Sequence, residues 1–129
     1  MDTSLDSLDP RFKPLAILLL ARLVEARIPI MIINTRRTAT EQQAAIARGV
    51  SWVHHSKHED GLAIDLAPYS VWSEVGGNKI NWDPGDPQWL KMGVVGEAIP
   101  GLKWGGRWTV KDLGHFEFAG SNAPDGVPV

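Results

Sequence analysis

With 129 residues, 43% of them hydrophobic, the chain has the size of one compact domain and enough apolar material for a core without staples. It contains no cysteine, which removes disulfides, thiolate zinc ligands and a cysteine nucleophile together, so any metal must rest on His and carboxylate. A formal net charge of −2 provides no basic field to draw it to nucleic acid.

The N-terminus, Met1-Asp2-Thr3-Ser4-Leu5-Asp6, is acidic where an export signal is basic. The apolar stretch from Leu15 to Ala21 is far shorter than a membrane span, so no membrane insertion is expected. A first helix is expected from Leu15 to Arg27. Leu15, Leu18, Leu19, Leu23 and Ala26 fall at helical spacing, Pro14 suits the first turn and Pro29 stops it. Ile30 to Ile33 reads as a short buried strand ending at Asn34. Thr38-Ala39-Thr40-Glu41 fits a capping box and opens a second helix through Arg48, with Gly49 as its stop.

Gly61 to Leu66 alternates, with Leu62, Ile64 and Leu66 on one face and Asp65 on the other. Tyr69 to Asp86 is a Gly-, Asn- and Pro-rich excursion. In it Asn81, Asp83 and Asp86 lack the spacing of an EF-hand, and turn chemistry explains them. Asp86-Pro87 looks like an N-cap and first helical position, starting a helix to about Ala98, although Gly93 and Gly96 each cost roughly 1 kcal/mol against Ala. His115 to Phe118 alternates again, placing His115 and Glu117 on one face. Two strands of one sheet would thus aim Asp65 and His115 at the same point. Residues 1–129 are read as one domain with its core at about 10–119, and Ala119 to Val129 as a loose tail.

His58, Asp65 and His115 offer two imidazoles and a carboxylate, the protein half of a catalytic zinc site that keeps a position open for water. Any one of these histidines alone is more often structural. Asp112, three residues before His115, stands either to take a proton from that water or to cap the turn before the last strand, and spacing does not choose. His54 and His58, four apart, form a rival pair, but Ser, Lys, Glu, Asp and Gly in this stretch favour a loop over a helix. Glu117 is placed to orient a ligand from behind. Trp104 and Trp108 flank a Gly-Gly pair that lets backbone approach a ligand, where their faces can stack on sugar or peptide. Core packing with a satisfied N–H is the expectation for Trp72, Trp82 and Trp89.

Ser56-Lys57-His58-x-x-Gly61-x-Ala63-x-Asp65, then Trp104-Gly105-Gly106-x-Trp108, then Asp112-x-x-His115-Phe116-Glu117, resembles the VanY-like zinc peptidases. That family includes D-alanyl-D-alanine carboxypeptidases and phage endolysins that cut between L-alanine and D-glutamate in peptidoglycan. The likeness runs from about Ile30 to Phe118 with the motifs in family order. It implies an α+β fold with a small antiparallel sheet carrying a zinc site and helices packed on one side. It implies zinc held by His58, Asp65 and His115, and Asp112 as the base that activates the zinc water and passes its proton to the leaving amine. Thr35-Arg36-Arg37-Thr38-x-x-Glu41-Gln42 is similar to a family stretch that places Arg37 opposite the substrate. Ser56 matches a substrate-contacting position, and Gln42 is a further candidate there. Arg107 departs from the pattern, which is often acidic at that point.

The function implied is a zinc-dependent peptidase acting as a monomer on the peptidoglycan stem peptide. A phage endolysin cutting the L-alanyl-D-glutamate bond comes first, made in the host cytoplasm without a signal peptide and acting on the wall after release by a holin. The alternatives are a D-alanyl-D-alanine carboxypeptidase and a non-catalytic, zinc-stabilised wall-binding module.

Overall fold

The computed structural model describes residues 2–49, 56–69 and 80–119. Helix α1 spans Lys13–Glu25, strand β1 Ile30–Asn34 and helix α2 Ala39–Ala47. Strand β2 spans Ala63–Pro68, helix α3 Pro87–Glu97, strand β3 Leu102–Trp104 and strand β4 His115–Phe118. Short 3₁₀ turns lie at Leu5–Ser7 and Gly105–Arg107. The strands form one antiparallel sheet in the order β1-β2-β4-β3.

Helix α1 starts and ends two residues earlier than its periodicity predicts, and a local backbone turn ahead of Pro29 ends it. The Arg27 amide donates to the Val24 carbonyl and the Ile28 amide to the Leu23 carbonyl, both at 3.0 Å. That is the Schellman pattern, and it puts Arg27 in the left-handed region at φ 59°. Ile28 is thereby turned back into the core beside Leu23. At α2 the expected capping box forms: Thr38 Oγ1 accepts from the Glu41 amide at 3.1 Å and Glu41 Oε1 accepts from the Thr38 amide at 3.0 Å. Asp86 caps α3, its Oδ1 accepting from the Gln88 amide at 2.8 Å. The acidic turn before it is also local chemistry, with Asn81 and Asp83 side chains accepting from the Asp83 and Gly85 amides.

The core lies between one face of the sheet and the helices α1 and α3. Leu62, Ile64, Leu66 and Phe116 meet Ala16, Leu19 and Leu23 of α1 and Trp89 and Met92 of α3. Gly93 and Gly96 are what allow α3 to lie this close. A Cβ on Gly93 would enter the Trp104 indole, and one on Gly96 would enter the Phe116 ring. Complete burial of Phe116 contributes roughly 1.5–3 kcal/mol. Strand β3 has only three residues, too short for alternation to announce it, and it exists through its pairing with β4.

Two aromatic expectations fail. Trp82 is 55% exposed and only tilts against Trp89, with ring centroids 6.4 Å apart. Trp89 is buried as expected, but its Nε1 has no hydrogen-bond partner among the described residues. Trp72, His54, His55 and the C-terminal tail beyond Ala119 lie outside the described residues. No described helix is long and apolar enough to cross a membrane.

Candidate metal centre and active site

The face of the sheet away from the helices carries the polar residues. The β2–β4 register pairs Asp65 directly with His115, and the β1–β2 register pairs Asn34 with Asp65. Directly opposed residues on antiparallel strands share a face, with Cβ atoms about 4.5–5.5 Å apart. Alternation within β2 and β4, combined with this register, therefore delivers the carboxylate and the imidazole to one point. A bulge between Ile32 and Asn34 re-aims the end of β1 there as well.

His58 arrives from the turn that enters β2. The Glu59 amide donates to the Ser56 carbonyl and the Leu62 amide to the Lys57 carbonyl, both at 2.9 Å. Gly61 closes this turn at φ 71°, and a Cβ there would strike the backbone at Ser7 and Asp9. The ring of His58 is buried, and its Nδ1 lies 2.9 Å from the Thr35 carbonyl oxygen. A carbonyl only accepts, so Nδ1 donates to it, and Nε2 is the nitrogen turned to the cluster. That Nε2 is buried without a hydrogen-bond partner, although Asp65 Oδ2 is 3.1 Å away. Thr35 is held in turn by the N-terminal segment, its amide donating to the Asp2 carbonyl at 2.8 Å.

His115 Nδ1 donates to Asp65 Oδ1 at 3.1 Å, and its Nε2 donates to Glu117 Oε1 at 2.9 Å. Ligand atoms of His58, Asp65 and His115 all lie within 4.8 Å of one another. Burial opposes charge on all of these groups, but their mutual contacts outweigh it. His58 and His115 hold the Asp65 carboxyl far below the usual carboxylate range. Hydrogen bonds to Asp65 and Glu117 push His115 up to about 10. Contacts with His115 and Lys57 bring Glu117 down to about 2.

This donor set fits a divalent metal. An orphaned, buried imidazole nitrogen converges with a carboxylate and a second imidazole, and each histidine is anchored on its far nitrogen. Two nitrogens and one oxygen with no sulfur match the three-ligand form of catalytic zinc sites.

Asp112 stands just outside the cluster, its Oδ2 3.9 Å from His115 Nδ1 and its side chain 56% exposed. Partial burial, aided by the negative charge of Asp65, raises its pKa against the pull of His115, His58 and Arg37. Its backbone also builds the turn into β4, since the Asp112 amide donates to the Gly105 carbonyl at 3.0 Å. Of the two readings that spacing left open for Asp112, its main chain thus meets the turn-building one. The Gly-Gly pair serves this turn and the core. A Cβ on Gly105 would meet Asp112 and His115, and one on Gly106 would enter the indole of Trp104. Trp104 itself is buried, with Nε1 donating to the Leu113 carbonyl at 2.8 Å, so it offers no stacking face. Trp108 does offer one: it is 36% exposed and its ring centroid lies 5.1 Å from that of His115.

Arg37 joins the site through its main chain, its amide donating to the His58 carbonyl at 2.9 Å, and its charge is felt at Asp112. Gln42, expected at the substrate, is fully buried; its Oε1 accepts from Arg37 Nη1 at 2.6 Å. A side chain with no exposed surface does not touch a substrate directly. The Ser56 hydroxyl is nearly buried and accepts from the His58 amide at 3.2 Å, which occupies it in the turn. Arg107 is paired with Glu97 on α3 at 2.7 and 3.1 Å, so its charge is matched locally. The sequence reading missed the roles of Asn34, Thr35 and Lys57. A polar pair ending an apolar strand, and a lysine beside a ligand histidine, were the available signals.

Comparison with known proteins agrees with this geometry. The profile of the D-alanyl-D-alanine carboxypeptidase family of M15 peptidases matches residues 42–118. The Serratia marcescens L-Ala D-Glu endopeptidase ChiX shares the fold with TM-score 0.68 and 21% identity, over 88% of this chain and 82% of that one. A VanB-type vancomycin resistance D,D-pentapeptidase VanY, a mutant in complex with Zn(II), superposes with TM-score 0.58 and 13% identity, over 88% and 73%. VanYB in complex with D-alanine-D-alanine gives TM-score 0.61 and 15% identity, over 88% and 72%. No curated protein matches by sequence.

Proposed function

Because the chain belongs to the D-alanyl-D-alanine carboxypeptidase family of M15 peptidases, we propose that it is a zinc-dependent peptidoglycan peptidase that cuts the L-alanyl-D-glutamate bond of the stem peptide. The observation that carries this reading is the cross-strand pairing of Asp65 with His115 beneath the orphaned Nε2 of His58. His58 through Nε2, Asp65 through its carboxylate and His115 through Nδ1 would hold the metal. When bound, zinc supplies a Lewis acid that polarises the scissile carbonyl and brings the pKa of water toward ~7.

The remaining work falls to this chain's own side chains. Asp112, exposed at the rim with a raised pKa, takes the proton of the attacking water. The water oxygen bonds to the carbonyl carbon, the C–N bond breaks, and Asp112 returns the proton to the leaving amine. Arg37, oriented by Gln42, presents a fork of donors to a substrate carboxylate or carbonyl oxygen. Arg36 and Arg37 line a groove of about 390 Å³ together with Asp2, Thr38, Glu41 and Glu59, a lining of mixed charge beside the site. Ser56 retains a hydroxyl proton to donate to substrate, and Trp108 provides a face beside His115.

The endopeptidase reading is supported by the mutual coverage with ChiX, a chain of similar extent. The family description favours D-alanyl-D-alanine carboxypeptidase as the second reading. The cellular setting proposed is that of a phage endolysin, working as a monomeric domain on the wall. Mass spectrometry of peptides released from purified peptidoglycan separates the readings. New N-terminal D-glutamate establishes the endopeptidase, and free D-alanine the carboxypeptidase. Wall capture without cleavage by zinc-loaded protein would leave a binding module and remove the proposal.

A further inference from the structure

The two imidazoles of the cluster are held from behind in different ways. His58 leans on a main-chain carbonyl, whereas His115 leans on a side chain, Glu117, at 2.9 Å. The other oxygen of that carboxylate, Oε2, lies 2.7 Å from Lys57 Nζ, and both side chains are largely buried. The same ammonium donates to the Phe118 carbonyl at 3.1 Å. Lys57 is the residue before His58, and its carbonyl closes the turn that carries that ligand. Lys103 stands opposite Glu117 in the β3–β4 register, but the short ion pair is with Lys57.

Resting on the zinc reading, we propose that Lys57 and Glu117 act as one positioning unit. It holds His115 with Nε2 protonated and Nδ1 turned to the metal, and it ties the His58 turn to β4. Glu117 lies two residues from His115 on the same face of β4 and meets the ring on Nε2, the nitrogen away from Asp65. Lys57 on Oε2 and His115 on Oε1 engage both oxygens and keep the carboxylate behind the ring. One lysine therefore fixes the tautomer of one ligand and the placement of another.

The test measures zinc affinity by competition with a chromophoric chelator, and the His115 ring by ¹⁵N–¹H NMR of the zinc-loaded protein. Glu117→Ala is expected to weaken zinc binding about 10–100-fold and to erase the downfield Nε2–H resonance. Glu117→Gln keeps an accepting oxygen, so it should retain that resonance and lose less than about tenfold. Lys57→Met should weaken zinc in the wild-type background and cost clearly less in the Glu117→Ala or Glu117→Gln background, because part of its action passes through the carboxylate. Additive losses, or a folded Glu117→Ala protein with wild-type zinc affinity, would overturn the unit. If Glu117→Ala does not fold, the Lys57→Met and Glu117→Gln cycle decides alone. Wild-type protein that takes up no zinc would overturn the zinc reading itself. Wild-type uptake with unaffected variants would overturn only the Lys57–Glu117 unit.

Discussion

Replacing Asp112 with Asn removes a base while leaving the ligand cluster in place. The three ligand residues come within 4.8 Å of one another without it, and its nearest oxygen is 3.9 Å from His115 Nδ1. The main-chain bonds that build the turn, to the Gly105 carbonyl and from the His115 amide, do not depend on the carboxylate. A positioned general base contributes about 10²–10⁴ in rate, which is ~2.7–5.4 kcal/mol at 1.36 kcal/mol per tenfold. The raised pKa of Asp112 makes it a stronger base than an ordinary aspartate, so about 10³-fold is the expected loss. Zinc affinity should fall by less than about tenfold, because a half-exposed charge is screened by solvent and salt. The assay follows new amino groups from purified peptidoglycan at saturating zinc, with zinc content measured on the same samples. A kcat loss below about tenfold would refute Asp112 as the base. Loss of zinc in step with turnover would make it a ligand instead.

Three further outcomes follow from the geometry. In metal-free protein His115 holds its proton up to about pH 10, yet Nδ1 must lose it to bind zinc. Zinc loading at neutral pH should therefore release about one proton, and binding should tighten as pH rises toward 10; calorimetry in buffers of different ionisation enthalpy would show this, and a buffer-independent heat would refute it. Arg37→Ala should raise KM about tenfold or more with zinc uptake unchanged, and Gln42→Ala should give a smaller effect of the same kind, since it acts by orienting Arg37. Equal effects on zinc binding would place both residues in the metal site. Gly93→Ala should destabilise the protein in urea by about 1–3 kcal/mol, because the new methyl enters the Trp104 indole, despite a helix-propensity gain of roughly 1 kcal/mol. A stabilised variant would show that α3 is free to move off the sheet.

Local patterns in the sequence were enough to locate the candidate ligands, because strand alternation is a local property. Alternation put Asp65 and His115 each on the polar face of a strand, and the cap of α2 and the start of α3 were written in Thr38, Glu41, Asp86 and Pro87. The motif Ser-Lys-His with its glycine turn supplied the third ligand, and the resemblance supplied a role for each. What alternation cannot state is register. A one-residue slip between β2 and β4 would separate Asp65 from His115, and only the packing of Ile64 and Phe116 against α1 and α3 excludes it. The same holds for every correction. Gln42 is buried, Trp82 is exposed and Trp104 is core because of what other elements place beside them. Residue type and spacing name the groups able to do chemistry; long-range packing, which brings together residues fifty positions apart, selects the atoms that face one another.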